Sequence, residues 1–169
     1  MTNSKNIKIS FNNQQSRFKI SSMQSLVDFI LAALYNAEII TRLPENAEIV
    51  FNLLNKADMA EINQHYLSHE GPTDVLTFNY LDEFTDENEF TAAEIFICPE
   101  ITEENAREFK TNLNDELLLY IVHAILHLSG YEDHTEDKRV EMRQAEQLLL
   151  EKISSNSPVN VIELIEGEK

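Results

Sequence analysis

Between His123 and His134 the chain reads His-Ala-Ile-Leu-His-Leu-Ser-Gly-Tyr-Glu-Asp-His, and three of its five histidines lie there. Imidazole is the commonest protein ligand for transition metals. His123 and His127 are four residues apart, so on a helix they share a face, roughly 6 Å apart along the axis. They are the only strongly polar side chains between Leu117 and Leu128, an apolar run with no breaker that predicts a buried helix. A buried polar group without a partner costs roughly 1–3 kcal/mol. No acid lies between the two histidines, and a single metal ion would satisfy both. Gly130 then ends the helix where a left-handed residue is wanted. The chain can turn there and bring Asp133 or His134 back over the same face. Two ligands from a helix and one from the following loop leave a fourth position open, as in catalytic rather than structural zinc sites.

An open zinc site gives water a pKa near 7 and stabilises charge on a phosphoryl or carbonyl oxygen, so hydrolysis is the natural reaction class. A peptidase of the His-Glu-x-x-His kind needs a glutamate base beside the first histidine. Here that residue is Ala124. Glu116 lies about two turns, roughly 10 Å, along the helix, too far to serve directly.

The elements that must position these residues follow from pattern. Ile7 to Phe11 alternates apolar and polar and reads as a strand. Ser21 or Ser22 caps a helix to about Ala37, whose apolar face is Leu26, Phe29, Ile30, Ala33 and Leu34. Glu48 to Leu54 is a second strand, with Ile49, Phe51 and Leu53 on one face, and Asp58 to Leu67 has helical spacing. Thr73 to Phe78 and Ala93 to Cys98 are strands flanking an acidic connection, Asp82 to Thr91. Pro99 or Thr102 opens a helix, and the histidine helix follows from about Asn114 or Asp115. Thr135 caps a last helix, with Val140, Met142, Ala145, Leu148 and Leu149 facing inward. Beyond Pro158 the tail mixes apolar residues (Val159, Val161, Ile162, Leu164, Ile165) with acids, a pattern that allows docking on the surface, with fraying as the default. This order predicts an α/β (α+β) fold: one domain over residues 1–152, with a small mixed sheet, packed helices and a metalloprotease-like zinc-site helix, then the tail at 153–169.

Composition sets bounds. The 169 residues suffice for one domain with a substantial core, and 43% hydrophobic and 25% charged residues are ordinary for a globular protein. No apolar run is long enough to span a bilayer, the N-terminal residues have no signal-peptide core, and Cys98 alone cannot form an intrachain disulfide. A cytoplasmic location without membrane contact is expected. A net charge of −17 argues against a general nucleic-acid binder, but not against a nuclease organised around a local metal. Cys98 reads as a packing residue.

The histidine segment resembles the signature of the YbeY family of bacterial endoribonucleases, His-Gly-x-Leu-His-Leu-x-Gly-Tyr-Asp-His. The matches are His123, Leu126, His127, Leu128, Gly130 and Tyr131, and Ala124 replaces a glycine. Thr73-Asp74-Val75-Leu76-Thr77-Phe78 is similar to the family strand Pro-Thr-Asp-Val-Leu-Ser-Phe. Asn63 and Tyr66 match an Asn-x-x-Tyr-Arg element whose arginine is Leu67 here, and Ala93-Glu94 stands at a Gly-Asp pair. Met142 and Glu146 keep their family positions, and the resemblance covers roughly residues 47–152.

The resemblance implies a single-strand-specific, zinc-dependent endoribonuclease acting in late small-subunit rRNA 3′-end maturation and ribosome quality control. It implies one Zn2+ per chain, rRNA and the small ribosomal subunit as partners, and no DNA. Alternatives are a zinc metallohydrolase of another substrate such as a peptide, or a non-enzymatic ribosome-assembly factor with a structural metal. The family's third histidine falls ten residues after the first. That position is Asp133, and His134 is one further on. Register favours Asp133, with His134 the ligand if the loop carries an insertion. With Leu67 at the arginine, Lys138 and Arg139 are the nearby cations that could grip phosphate, although both suit a helix surface.

Overall fold

A computed structural model describes residues 6–81, 90–154 and 160–165. The acidic segment Asp82 to Glu89 and the last residues of the tail lie outside the described residues.

Four strands form a mixed sheet in the order β1 (Lys8–Asn13), β3 (Ala47–Leu53), β5 (Phe90–Ile97) and β4 (Val75–Asn79), with β2 (Phe18–Ile20) outside it. β1 and β5 both run parallel to β3, and β4 pairs antiparallel with β5. β4 is therefore an edge strand. Its pairing is alternate. The Asp74 carbonyl accepts from Cys98 N–H at 2.9 Å, and Tyr80 N–H donates to the Ala92 carbonyl at 3.0 Å. Even-numbered residues therefore turn their backbone groups toward β5, and Val75, Thr77 and Asn79 turn theirs to the open edge.

The helices are α1 (Met23–Asn36), α2 (Lys56–Leu67), α3 (Pro99–Phe109), α4 (Leu113–Leu128) and α5 (Glu136–Ser154). Ser22 caps α1, whose buried residues are Leu26, Phe29, Ile30, Ala33 and Leu34, the face expected from periodicity. Two helices begin earlier than their apolar pattern suggests, because asparagines cap them. Asn55 Oδ1 accepts from Asp58 N–H and Asn112 Oδ1 from Asp115 N–H, each at 2.9 Å.

α4 is the central helix. It packs against α1, α3 and α5 and lies across β4 and β5. Leu117, Ile121, Ala124, Ile125 and Leu128 join the core formed with α1 and the sheet. A second, smaller cluster of Leu54, Met59, Leu76 and Cys98 includes residues of α2 and β4.

Two expectations are corrected. Val140 (40% exposed) and Leu148 (61%) face outward, because the inward stripe of α5 is Met142, Ala145, Glu146 and Leu149. The tail does not simply fray: Val161 and Ile162 are buried, and β6 (Ile162–Leu164) pairs antiparallel with β2. The side chain of Asn114, in the first turn of α4, holds this strand. Its Oδ1 accepts from Val161 N–H (2.7 Å) and Ile162 N–H (3.1 Å), and its Nδ2 donates to the Ile162 carbonyl (3.3 Å). A three-residue strand is too short for period-two alternation to reveal, and one side chain supplies much of its anchoring. No helix among the described residues is long and apolar enough to cross a membrane.

Candidate metal centre

The apolar face of α4 is consumed by the core, which leaves Leu119, Tyr120, His123 and His127 to line a cleft of about 700 Å³. The opposite wall is β4 with the C-terminal end of α2. α4 ends in a Schellman turn. Gly130 N–H donates to the His127 carbonyl and Tyr131 N–H to the Leu126 carbonyl, each at 3.0 Å. Gly130 takes φ +98°, a conformation that side chains disfavour. The reversal carries Asp133, the residue that register favours, back over the helix.

His123 Nε2 and His127 Nε2 lie 2.9 Å apart, and Asp133 Oδ2 is 3.7 Å from each. One potential ligand atom from each of the three residues falls within 4.8 Å of the others. His134 is not brought into this cluster. Its side chain is 81% exposed, and its Nδ1 lies 3.9 Å from the other oxygen of Asp133.

The far sides of both rings are fixed. His123 Nδ1 donates to Glu146 Oε1 at 2.6 Å, and His127 Nδ1 donates to the Tyr131 carbonyl at 3.0 Å. Each Nδ1 thus holds the ring's proton, and each Nε2 presents a lone pair to the centre. Two lone pairs at 2.9 Å and a carboxylate are satisfied by a shared proton or by a cation. Burial, then the neighbouring His123, holds the His127 imidazole below its ordinary pKa. A second proton on that ring is disfavoured at neutral pH, and a cation suits the donor set better. Two imidazole nitrogens and a carboxylate oxygen are ligands that zinc accepts.

Glu146 enters the sequence reading only as a family match, and its place behind His123 is what pattern misses. Its signal was available: it is a carboxylate one turn after the buried Met142, on the inward stripe of an otherwise exposed helix. The Tyr131 carbonyl is a backbone group and leaves no such signal. Leu67 lines the cleft and brings no charge to it. Lys138 pairs with Glu141 at 3.5 Å. Arg139 pairs with Glu136 at 3.1 Å and donates to the Asp133 carbonyl at 3.2 Å. Neither cation lines the cleft, and Arg139 instead braces the loop that carries Asp133.

Behind the histidines, Asn105 Nδ2 donates to the Tyr120 hydroxyl oxygen at 2.7 Å. Burial raises the Tyr120 phenol far above its usual pKa, so it stays protonated. Asp74 braces the entry to β4, its Oδ1 accepting from Val75 N–H at 2.8 Å and from the Thr73 hydroxyl at 3.1 Å. Cys98 is fully buried and desolvation pushes its thiol pKa up, as suits a packing residue.

Comparison with known proteins supplies the context of this centre. The family model described as Endoribonuclease YbeY matches residues 9–154. The chain belongs to the YbeY family. Among proteins named Endoribonuclease YbeY, that of Thermotoga petrophila is 42% identical over 87 residues, 52% of this chain and 54% of the relative. That of Thermotoga neapolitana is 37% identical over 102 residues, 60% of this chain and 64% of the relative. The match thus spans between half and two thirds of these relatives' lengths. For the Chlorobium limicola protein of the same name, 38% identity extends over 106 residues, 63% of this chain and 70% of the relative. A solution structure of a Thermotoga maritima protein is similar in fold, with TM-score 0.56 and 27% identity, covering 88% of this chain and 89% of that one. The mixed sheet with helices packed on it is therefore shared with a solved protein, and the metal-suited cluster lies within the region that the YbeY model matches.

Proposed function

We propose that this chain is a zinc-dependent endoribonuclease that cleaves single-stranded RNA, acting on small-subunit rRNA during 3′-end maturation and ribosome quality control. The observation that carries this reading is the convergence of His123, His127 and Asp133 in an open cleft of a YbeY-family chain. His123 and His127 present Nε2, and Asp133 presents Oδ2. Glu146 and the Tyr131 carbonyl hold the two rings in the tautomer that ligation needs. When bound, zinc supplies Lewis-acid polarisation of a phosphoryl oxygen and acidifies water.

The remaining residues orient and support. Arg139 fixes the Asp133 loop, and Tyr120 lines the floor one turn before His123. Ala124 is fully buried and offers only a methyl group where a His-Glu-x-x-His peptidase has its base, which weighs against peptide hydrolysis. Glu146 is engaged behind His123 and supports that ring rather than acting as a base. The partner class is rRNA within the small ribosomal subunit, and the location is the cytoplasm.

The test is incubation of a small-subunit rRNA fragment with the purified protein, with chelator, and with chelator followed by zinc. Cleavage that is lost on chelation, restored by zinc and absent in the His123→Ala, His127→Ala double variant is expected. Full cleavage by the chelated protein refutes the metal assignment. Ribosome association with no cleavage under any condition would favour a non-enzymatic assembly factor.

A further inference from the structure

The cleft does not end at the histidines. It continues around the open edge of β4 to the C-terminal end of α2, where Leu67 and His69 line it. Leu67 is 45% exposed, and Tyr66 beside it is 62% exposed. Both are large apolar groups left in water. The Tyr66 ring meets Phe78 of β4 edge-on, with centroids 5.2 Å apart, and Phe78 also lines the cleft. Between this apolar corner and the metal centre runs the free edge of β4, where Thr77 turns both its N–H and its carbonyl outward.

The charge of the cleft is as informative. Among the described residues that line it there is no Lys or Arg, and three are carboxylates, Asp74, Asp133 and Glu146. A polyanion held by its phosphates needs cations along its path. This path offers instead an apolar seat and unpaired backbone hydrogen-bonding groups, the features that suit an unstacked base.

We propose that the α2–β4 end of the cleft is a nucleobase subsite, in which an unpaired base of the RNA strand rests against Leu67 and Phe78 beside the free backbone edge of Thr77. The inference rests on the endoribonuclease reading and extends it. Substrate is selected by the exposure of a base, and phosphate charge contributes little. A duplex cannot present such a base, so strand selectivity follows from this subsite.

The experiment is fluorescence anisotropy with a short labelled oligoribonucleotide, a strand of equal length with abasic sites, and the wild-type protein across about 50 to about 300 mM KCl. Stacking of one base is expected to give roughly tenfold tighter binding of the base-bearing strand. The salt dependence should be shallow, because no cation is displaced by contact with the cleft. Leu67→Asn, at an exposed position, should weaken binding of the base-bearing strand about fivefold and leave the abasic strand unchanged. Phe78→Leu keeps an apolar side chain beneath the cleft and removes the ring, and should act in the same direction. Leu67→Arg should steepen the logarithmic salt dependence by about 0.7, the value for one new contact to single-stranded phosphate. Equal affinity for the two strands, or a Leu67→Asn variant that binds both as the wild type does, overturns the subsite even when RNA is still cleaved. Absence of both binding and cleavage overturns the endoribonuclease reading, and the subsite falls with it.

Discussion

Removing the carboxylate of Glu146 tests the centre without touching a candidate ligand. Glu146 is 13% exposed in its side chain and accepts from His123 Nδ1 at 2.6 Å. It does two things there: it fixes the ring so that Nε2 faces the centre, and its negative charge makes that nitrogen a better donor. Loss of such a partner typically lowers metal affinity 10–100-fold, or about 1.4–2.7 kcal/mol. Glu146→Gln keeps an acceptor but no charge and should fall near the lower end. Glu146→Ala loses both and should fall near the upper end. In the metal-free protein the alanine variant also leaves a ring N–H unpaired. His123 is 22% exposed, so water compensates in part, and the expected cost is about 1 kcal/mol, roughly 2–4 °C in melting temperature. The assay is competition for zinc against a chromophoric chelator, with thermal unfolding of metal-free and metal-loaded protein in parallel. Zinc affinity within about twofold of wild type for both variants would refute the tautomer argument. A melting loss without an affinity loss would reduce Glu146 to a structural residue.

Three further outcomes are expected. Asp133→Ala should lose most zinc affinity while His134→Ala keeps it, read by the same competition. The opposite result shows that the loop rearranges to bring the exposed His134 to the metal. Gly130→Ala should lower stability by about 1–2 kcal/mol in denaturant unfolding, because φ +98° is strained for any side chain although nothing lies within 4 Å of an added Cβ. Deleting residues 160–169 should cost about 3–6 kcal/mol, the burial of the Val161 and Ile162 side chains, and an unchanged urea midpoint would show that β6 is dispensable.

What the sequence made legible was the part governed by period and spacing. The α1 face, the buried α4 run, the glycine stop and the i, i+4 histidines all follow from local chemistry, and the structure places them accordingly. The choice of Asp133 as the residue that returns over the helix came from register, and the turn geometry brings it to the histidines. What pattern did not reveal depends on distant parts of the chain. Glu146 meets His123 only because α5 folds back across α4, and no local rule marks that encounter. The β2–β6 pair joins two three-residue strands too short to signal alone, so the apolar residues of the tail suggested docking at most and fraying stood as the default. Val140 and Leu148 look like core residues by composition, yet the stripe that α5 buries is set by where α4 lies.

The pairing of β2 with β6 joins two ends of the described chain, and this has a consequence for the order of folding. Nearly every other contact that shapes the cleft closes before residue 160 is needed: the parallel strands, the β4–β5 hairpin, the α4 turn and the return of α5. The β2–β6 ladder must wait for the whole intervening chain, and it joins the paired strands farthest apart in sequence among the described residues. Asn114 stands ready in the first turn of α4, its side-chain amide waiting for Val161 and Ile162. Folding kinetics should accordingly show a late phase that vanishes when residues 160–169 are absent, while the earlier phase that builds the histidine helix remains.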